Sequence, residues 1–224
     1  MSYGLGVSAP CAFRDWLARS PFVAILRGIT PAEALDVGQA LVDAGWRLIE
    51  VPLNSPDAFA SIARLQRRFG DEILLGAGTV SREREVDELV RIGARLMVCP
   101  HTDPALIRYA KSAGLAALPG AATPSECLAA LDAGADALKL FPADALGTPM
   151  LAALRAVLPA DTPMLPVGGI HTDLLAVWRK AGASGFGIGG TLYRPGRPPA
   201  QVAQIAHGFN QAWRDSETAL RAPR

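Results

Sequence analysis

Residues 30–53 read TPAEALDVGQALVDAGWRLIEVPL, and this stretch contains one complete structural unit. Thr30 followed by Pro31 marks a helix start. The hydroxyl accepts an orphan N–H, and proline at the first helical position forfeits no hydrogen bond. Glu33, three residues after the threonine, completes a capping box. Ala34, Val37, Leu41 and Ala44 fall along one stripe of the helix. Gly45 supplies the left-handed residue that closes it. Leu48 to Leu53 is then a short apolar run of strand type, broken by a single charge, Glu50.

The unit recurs along the chain. Ser55-Pro56, Asp103-Pro104, Thr123-Pro124 and Thr148-Pro149 repeat the start, and Glu126 makes a second capping box. Gly93, Gly114, Gly134 and Gly182 repeat the end. The predicted strands are Phe22 to Leu26, Leu48 to Leu53, Ile73 to Ala77, Leu96 to Cys99, Ala116 to Leu118, Ala137 to Phe141, Met164 to Val167 and Gly185 to Ile188. They are apolar without clear alternation, as parallel strands buried on both faces are. Eight strands alternating with helices over 224 residues predict one α/β domain, a (β/α)8 TIM barrel spanning residues 1–224. An open doubly wound sheet is the alternative, but no G-x-G-x-x-G opens the first helix. Pro198 to Ser216 reads as the last helix, with a loose tail from about Glu217. The first dozen residues are expected to be mobile, or to lead into a helix around Ala12 to Arg19 that covers the lower mouth of the barrel.

Half the residues are hydrophobic and 19% are charged, enough for a sizeable core. With 22 basic and 21 acidic residues the net charge is +1, and no basic block invites nucleic acid or an anionic membrane. No apolar run is of membrane-spanning length, and the N-terminus lacks the pattern of a signal peptide. Cys11, Cys99 and Cys127 are odd in number and scattered, which suggests reduced thiols in a cytoplasmic protein.

In a barrel of this kind the active site lies at the carboxyl ends of the strands. The chain has three lysines. Lys111 and Lys180 sit near helix ends, whereas Lys139 interrupts Ala137-Leu138-Lys139-Leu140-Phe141. Desolvation favours a neutral amine, and a neutral amine is a nucleophile for ketones. Glu50 is the matching intruder in strand two and makes a general acid/base partner. A buried ion pair between the two is the competing reading. Gly168-Gly169 and Gly189-Gly190 follow strands seven and eight, where this fold binds phosphate on backbone N–H groups, and Thr191 adds a hydroxyl. Tight turns without a ligand are the plainer account. Thr79 is a candidate carboxylate contact or a helix cap. Arg27 is an anion grip or a surface ion pair. His101 reads as a solvated loop residue and His171 as a helix-start residue. No histidine–carboxylate spacing suggests a metal, and no cofactor is expected.

The motifs VAILRG, IEVPLNSP, GAGTV, ALKLFPA, PVGGI and GIGGTLY, in this order, resemble the Schiff-base aldolases of 2-keto-3-deoxy-6-phosphosugar acids, the KDPG/KDPGal aldolase family. The resemblance runs from about Phe22 to Arg214. It implies an imine on Lys139, with Glu50 as general acid/base. It implies pyruvate contacts from Thr79 and Arg27, with Pro100 and Phe141 lining the site. Phosphate would rest on Gly168, Gly169, Gly189, Gly190 and Thr191, and the assembly would be a homotrimer. Gluconate-type members carry arginine in E-V-T-L-R-T, where this chain has Glu50-Val51-Pro52-Leu53-Asn54-Ser55, so it looks galactonate-type. The implied reaction is cleavage of 2-dehydro-3-deoxy-6-phosphogalactonate to pyruvate and glyceraldehyde 3-phosphate, with the gluconate epimer as the alternative substrate. A phosphosugar isomerase or epimerase, or a non-catalytic phosphometabolite-binding barrel, are the readings from other classes. Neither needs both Glu50 and Lys139 inside strands.

Overall fold

The computed structural model describes residues 13–221, with side chains through Thr218. The expectations for the first dozen residues, and for Cys11, lie outside the described residues. Helix α1 (Phe13–Arg19) leads into β1 (Phe22–Ile25). The chain then alternates: α2 (Ala34–Asp43), β2 (Leu48–Pro52), α3 (Ala58–Phe69), β3 (Leu74–Gly78), α4 (Glu83–Ile92), β4 (Leu96–Val98), α5 (Pro104–Ser112) and β5 (Ala116–Leu118). It continues through β6 (Gly120–Ala121), α6 (Pro124–Asp132), β7 (Leu138–Leu140), α7 (Ala143–Arg155), β8 (Met164–Pro166), α8 (Leu175–Lys180), β9 (Phe186–Ile188) and α9 (Pro199–Arg221).

This is an α/β fold with curled parallel sheets. Six strands pair in the order β5-β4-β3-β2-β1-β9, and three in the order β6-β7-β8. Pro119 alone separates β5 from β6, and an isolated parallel bridge joins Val167 to Gly187. Each predicted strand run overlaps an observed strand; most observed strands are shorter, and β3 ends one residue later than expected, at Gly78. Leu26, Leu53 and Cys99 stay apolar beyond the last ladder pairs, which lengthens the apparent strand.

Two apolar clusters explain the layering. One fills the space between the convex sheet face and the helices. The other gathers Val23, Leu48, Leu74, Leu96, Leu118 and Leu165 on the concave face, closed from below by Phe13 and Trp16 of α1. The N-terminal helix therefore plugs this well, as its expected position required. Side chains alternate along a strand, so the residues two further on share the concave face one level higher. Those residues include Ile25, Glu50, Gly76 and Val98, and by the same count from Ala137, Lys139. At the far side, Phe22 stacks on Trp46 at 4.8 Å and meets Phe209 and Trp213 edge-on, which fastens α9 across the first strand.

The helix-start readings divide. Asp103 Oδ1 accepts from the N–H groups of Ala105 and Leu106, at 2.9 and 3.2 Å. Thr123 and Glu126 form a reciprocal box. Thr30 and Glu33 bond reciprocally as expected, though regular helix begins only at Ala34. Ser55 does not cap α3. Its hydroxyl accepts from Gly28 N–H at 2.9 Å instead, and Asp57, at φ 43°, precedes the helix. Thr148-Pro149 lies inside α7, where Gly147 at φ 72° bends the helix and the pair opens the second segment. All five helix-end glycines have positive φ. The reading of a loose tail from Glu217 is corrected. Helix α9 continues to Arg221, and Arg179 bonds it at the expected end, Ser216 (2.6 Å), and past it, at Glu217 (3.4 Å). Among the described residues no helix is long and apolar enough to cross a membrane.

Gly76 marks the closest approach of two strands: a Cβ there would lie 1.6 Å from the Leu96 carbonyl oxygen. Backbone cannot swing aside as a flexible side chain does. Gly76→Ala should therefore cost at least about 3 kcal/mol of stability, read from the urea midpoint. Gly208→Ala, in open space on α9, should gain up to about 1 kcal/mol in the same assay. Equal midpoints for the two variants would mean that β3 and β4 do not meet this closely.

Candidate active site

Glu50 and Lys139 stand on opposite sheets and on the same concave level. Glu50 is 1% exposed and Lys139 5% exposed. β2 lies between β1 and β3, with Glu50 in register with Ile25 and Gly76, so its backbone is held on both sides. Lys139 is in register with Gly120 and Leu165, and its N–H donates to Pro119 O at 2.9 Å. Both side chains are thus carried on strands, where position is better fixed than on loops.

The Glu50 carboxyl is unusual in what it lacks. Oε2 is buried without a hydrogen-bond partner. Among the described residues the ion pairs lie elsewhere, and Glu50 and Lys139 do not form one within 4.0 Å. The reading of a simple buried ion pair is thereby set aside. Burial pushes the Glu50 carboxyl above its ordinary range, while the charges of Lys139 and then Arg27 pull it down. The carboxylate leans on Gly78, where an added Cβ would fall 2.7 Å from Oε1. Glycine at 78 is therefore a condition for seating Glu50.

Lys139 Nζ lies 5.0 Å from the centroid of the Phe141 ring, which is 37% exposed at the mouth. Phe141 thus forms one wall of the opening above the amine. Thr79, next after Gly78, has φ 60°. A β-branched residue in the left-handed region is strained, at about 1–3 kcal/mol, and such strain collects where surroundings fix a functional geometry. Pro100 follows β4 and is exposed, and Gly120 leaves room for its carbonyl, which a Cβ would approach to 2.5 Å. Arg27 follows β1, and its Nη1 donates to Asn54 Oδ1 at 2.5 Å.

The two glycine pairs sit side by side at the ends of β8 and β9. Thr191 Oγ1 donates to Ile170 O at 3.1 Å, which ties one turn to the other and commits the hydroxyl proton. Gly168 and Gly169 have φ 111° and 64°, and a Cβ on Gly169 would meet Asp144 Cβ at 2.7 Å. Glycine is thus needed there for backbone reasons as well. Asp144, given no role by the sequence, and Asn54, singled out only for replacing the gluconate-type arginine, belong to this neighbourhood. Asp144 flanks the first glycine turn, and Asn54 carries the Arg27 guanidinium. No sequence signal marks either contact, since both depend on chain segments that only the fold brings together.

His101 and His171 are exposed on loops. Burial pushes the thiols of Cys99 and Cys127 up to about 11. Among the described residues no cluster of three or more histidine, cysteine or acidic side chains is arranged to hold a metal ion.

The model of the family described as "Aldolase: KDPG and KHG aldolase" matches residues 14–197. The chain is 45% identical over 202 residues to 2-dehydro-3-deoxy-6-phosphogalactonate aldolase of Escherichia coli (strain K12), covering 90% of this chain and 98% of that protein. It is 34% identical over 145 residues to 2-dehydro-3-deoxy-phosphogluconate aldolase of Treponema pallidum (strain Nichols), covering 64% and 68%. A solved structure described as "Native KDPGal structure" superposes with TM-score 0.87 at 45% identity, over 88% of this chain and 96% of that one. Fold, strand-borne amine and carboxylate, and sequence agreement thus converge, and the chain belongs to the KDPG and KHG aldolase family, whose members are carbon–carbon lyases.

Proposed function

We propose that this aldolase cleaves 2-dehydro-3-deoxy-6-phosphogalactonate to pyruvate and glyceraldehyde 3-phosphate through an imine on Lys139. The observation that carries this reading is an unpaired carboxylate buried on the same level as a buried amine. The galactonate epimer is preferred because the 45% relative bears that name, against 34% for a gluconate one. Lys139 adds to the C2 ketone and water leaves, giving a protonated imine. Glu50 takes the C4 hydroxyl proton, the C3–C4 bond breaks, and its electron pair moves into the enamine nitrogen system. Glyceraldehyde 3-phosphate departs. The enamine takes a proton at C3, and water hydrolyses the resulting imine to pyruvate and free Lys139. General acid/base assistance of this kind contributes about 10²–10⁴-fold.

Thr79 and Arg27 hold the pyruvate carboxylate, and Phe141 and Pro100 line the mouth. The phosphate rests on the backbone of Gly168, Gly169, Gly189, Gly190 and Thr191, with the Thr191 side chain joining the two turns. In this reading the two sheets act as one closed (β/α)8 barrel, spliced at Pro119 and at the Val167–Gly187 bridge. In this reading the chain assembles as a homotrimer, and exposed apolar residues such as Val90, Leu128, Val157 and Val177 are available to its contacts. The enzyme acts in the cytoplasm, where phosphorylated sugar acids are retained.

Borohydride reduction in the presence of pyruvate should fix a pyruvate adduct on the peptide that contains Lys139. Lys139→Ala should fold, give no adduct and show no cleavage above background. An adduct on another residue, or cleavage by that variant, would end the imine assignment. Parallel assays with both C4 epimers read the stereochemistry.

Glu50→Gln should still trap pyruvate but cleave about 10²–10⁴-fold more slowly. Normal turnover would remove Glu50 from its role. The same variant has a stability consequence. Burial raises the folded carboxyl above its ordinary 4.5, so between the two values the folded chain holds a proton that the unfolded chain has released. That contribution is full below 4.5 and is lost as pH climbs through the raised value. Glutamine avoids the loss. Glu50→Gln should therefore melt higher than the parent at pH 7 and equally at pH 4, each kcal/mol shifting Tm by about 2–4 °C in a chain of this size.

Gly190→Asp should raise KM for the phosphorylated substrate by about tenfold or more through like-charge repulsion. An unchanged KM would put the phosphate elsewhere.

A further inference from the structure

The residue pairs Arg27-Gly28 and Asn54-Ser55 form a two-rung clip between the open ends of β1 and β2. Arg27 Nη1 donates to Asn54 Oδ1 at 2.5 Å, and Gly28 N–H donates to Ser55 Oγ at 2.9 Å. Below the clip, Leu26 N–H donates to Glu50 O at 3.0 Å, continuing the ladder. Gly28 is held from the other side as well: it has φ 83°, and a Cβ there would lie 2.8 Å from Pro195 Cγ. The backbone behind Arg27 is therefore pinned, and its guanidinium is tethered at the tip.

The chemistry of the tether matters. Among the described residues Arg27 belongs to no ion pair, and the acceptor that holds it is a neutral amide. A carboxylate at residue 54 would hold the guanidinium equally well but cancel its charge. The charge is felt in the site, since Arg27 acts on the buried Glu50. A guanidinium presents five N–H groups in a rigid fork, so one bond to Asn54 leaves an edge free for a carboxylate.

We propose that Asn54 is a positioning residue, which aims the Arg27 guanidinium at the carboxylate of the bound 2-keto acid and leaves its charge uncancelled. The proposal rests on Arg27 as the carboxylate contact. A two-point grip follows, with Thr79 on one side of the pocket and the tethered Arg27 on the other. The specificity it confers is for an α-keto acid over an uncharged ketone.

Steady-state kinetics in the condensation direction, pyruvate plus glyceraldehyde 3-phosphate, test it. Arg27→Ala should raise the pyruvate KM by about tenfold or more with a smaller change in kcat, as loss of a charge-assisted bond does. Asn54→Ala should raise it by about fivefold, and the double variant should be no worse than Arg27→Ala alone. Asn54→Asp should raise KM at least as far as Asn54→Ala, because the guanidinium stays in place but is neutralised. Ser55→Ala removes the uncharged rung and should leave pyruvate KM within about twofold, even with a lower Tm. A merely structural Asn54 would be rescued by aspartate and would mirror Ser55. Unchanged KM in Asn54→Ala, rescue by aspartate, or full additivity with Arg27→Ala each overturns the proposal. Should Arg27→Ala itself leave pyruvate KM unchanged, the carboxylate assignment falls first, and the proposal with it.

Discussion

A carboxylate and an amine, buried together without pairing, set the terms for the rest of this structure. An ionised carboxyl out of water is costly, and a hydrogen-bonded partner is the usual remedy. Glu50 lacks that remedy at Oε2. It is tolerated because its strand is hydrogen-bonded on both sides, and because the level below is apolar and closed by Phe13 and Trp16. The surrounding core offsets the cost and also prevents Glu50 from reaching a better partner. A group kept basic and unsatisfied in this way has an outlet only toward whatever enters from the mouth.

The room above that pair is made by missing side chains. Gly78 leaves space for the carboxylate, Gly120 for the Pro100 carbonyl, and Gly187 for Val167. Each lies on or beside a strand, where glycine is otherwise unfavourable. Thr79 carries strain of the same origin: it follows the glycine that seats Glu50, and it keeps a conformation that its side chain disfavours. The stability that a bulkier and better-relaxed pocket would offer is given up at the point where a ligand must fit.

Local signals in the sequence carried the fold far, and their failures have a common cause. Asp103 and Thr123 cap helices because the groups they serve are two and three residues away. Ser55 has the same local pattern but is captured by Gly28, which the sequence places 27 positions earlier. The end of α9 went unread for the same reason, since Arg179 reaches Glu217 across 38 positions. Strand β6 was invisible because Gly120–Ala121 has no strand-like composition and exists only as a ladder against β7. In the site, Glu50 and Lys139 were legible because a charge inside an apolar run is conspicuous. Asn54 stood out only as a replaced arginine, and its bond to Arg27 was not legible because its meaning lies in the side chain opposite.

Charge at the mouth follows from that opposition. Arg27 brings positive charge to a pocket that holds one buried carboxyl, and its guanidinium at the rim is matched by an amide instead of an acid. The proposed substrate is anionic at both ends, so each acidic side chain added near the rim would weaken binding by long-range repulsion as well as by local pairing. Asp144 sits against the glycine turn at the far end and does not accompany Arg27. The separation leaves the Arg27 charge at the keto-acid end uncancelled, because the side chain that tethers its guanidinium is uncharged. Position and charge are thereby controlled independently, by an amide for one and by the absence of a nearby carboxylate for the other.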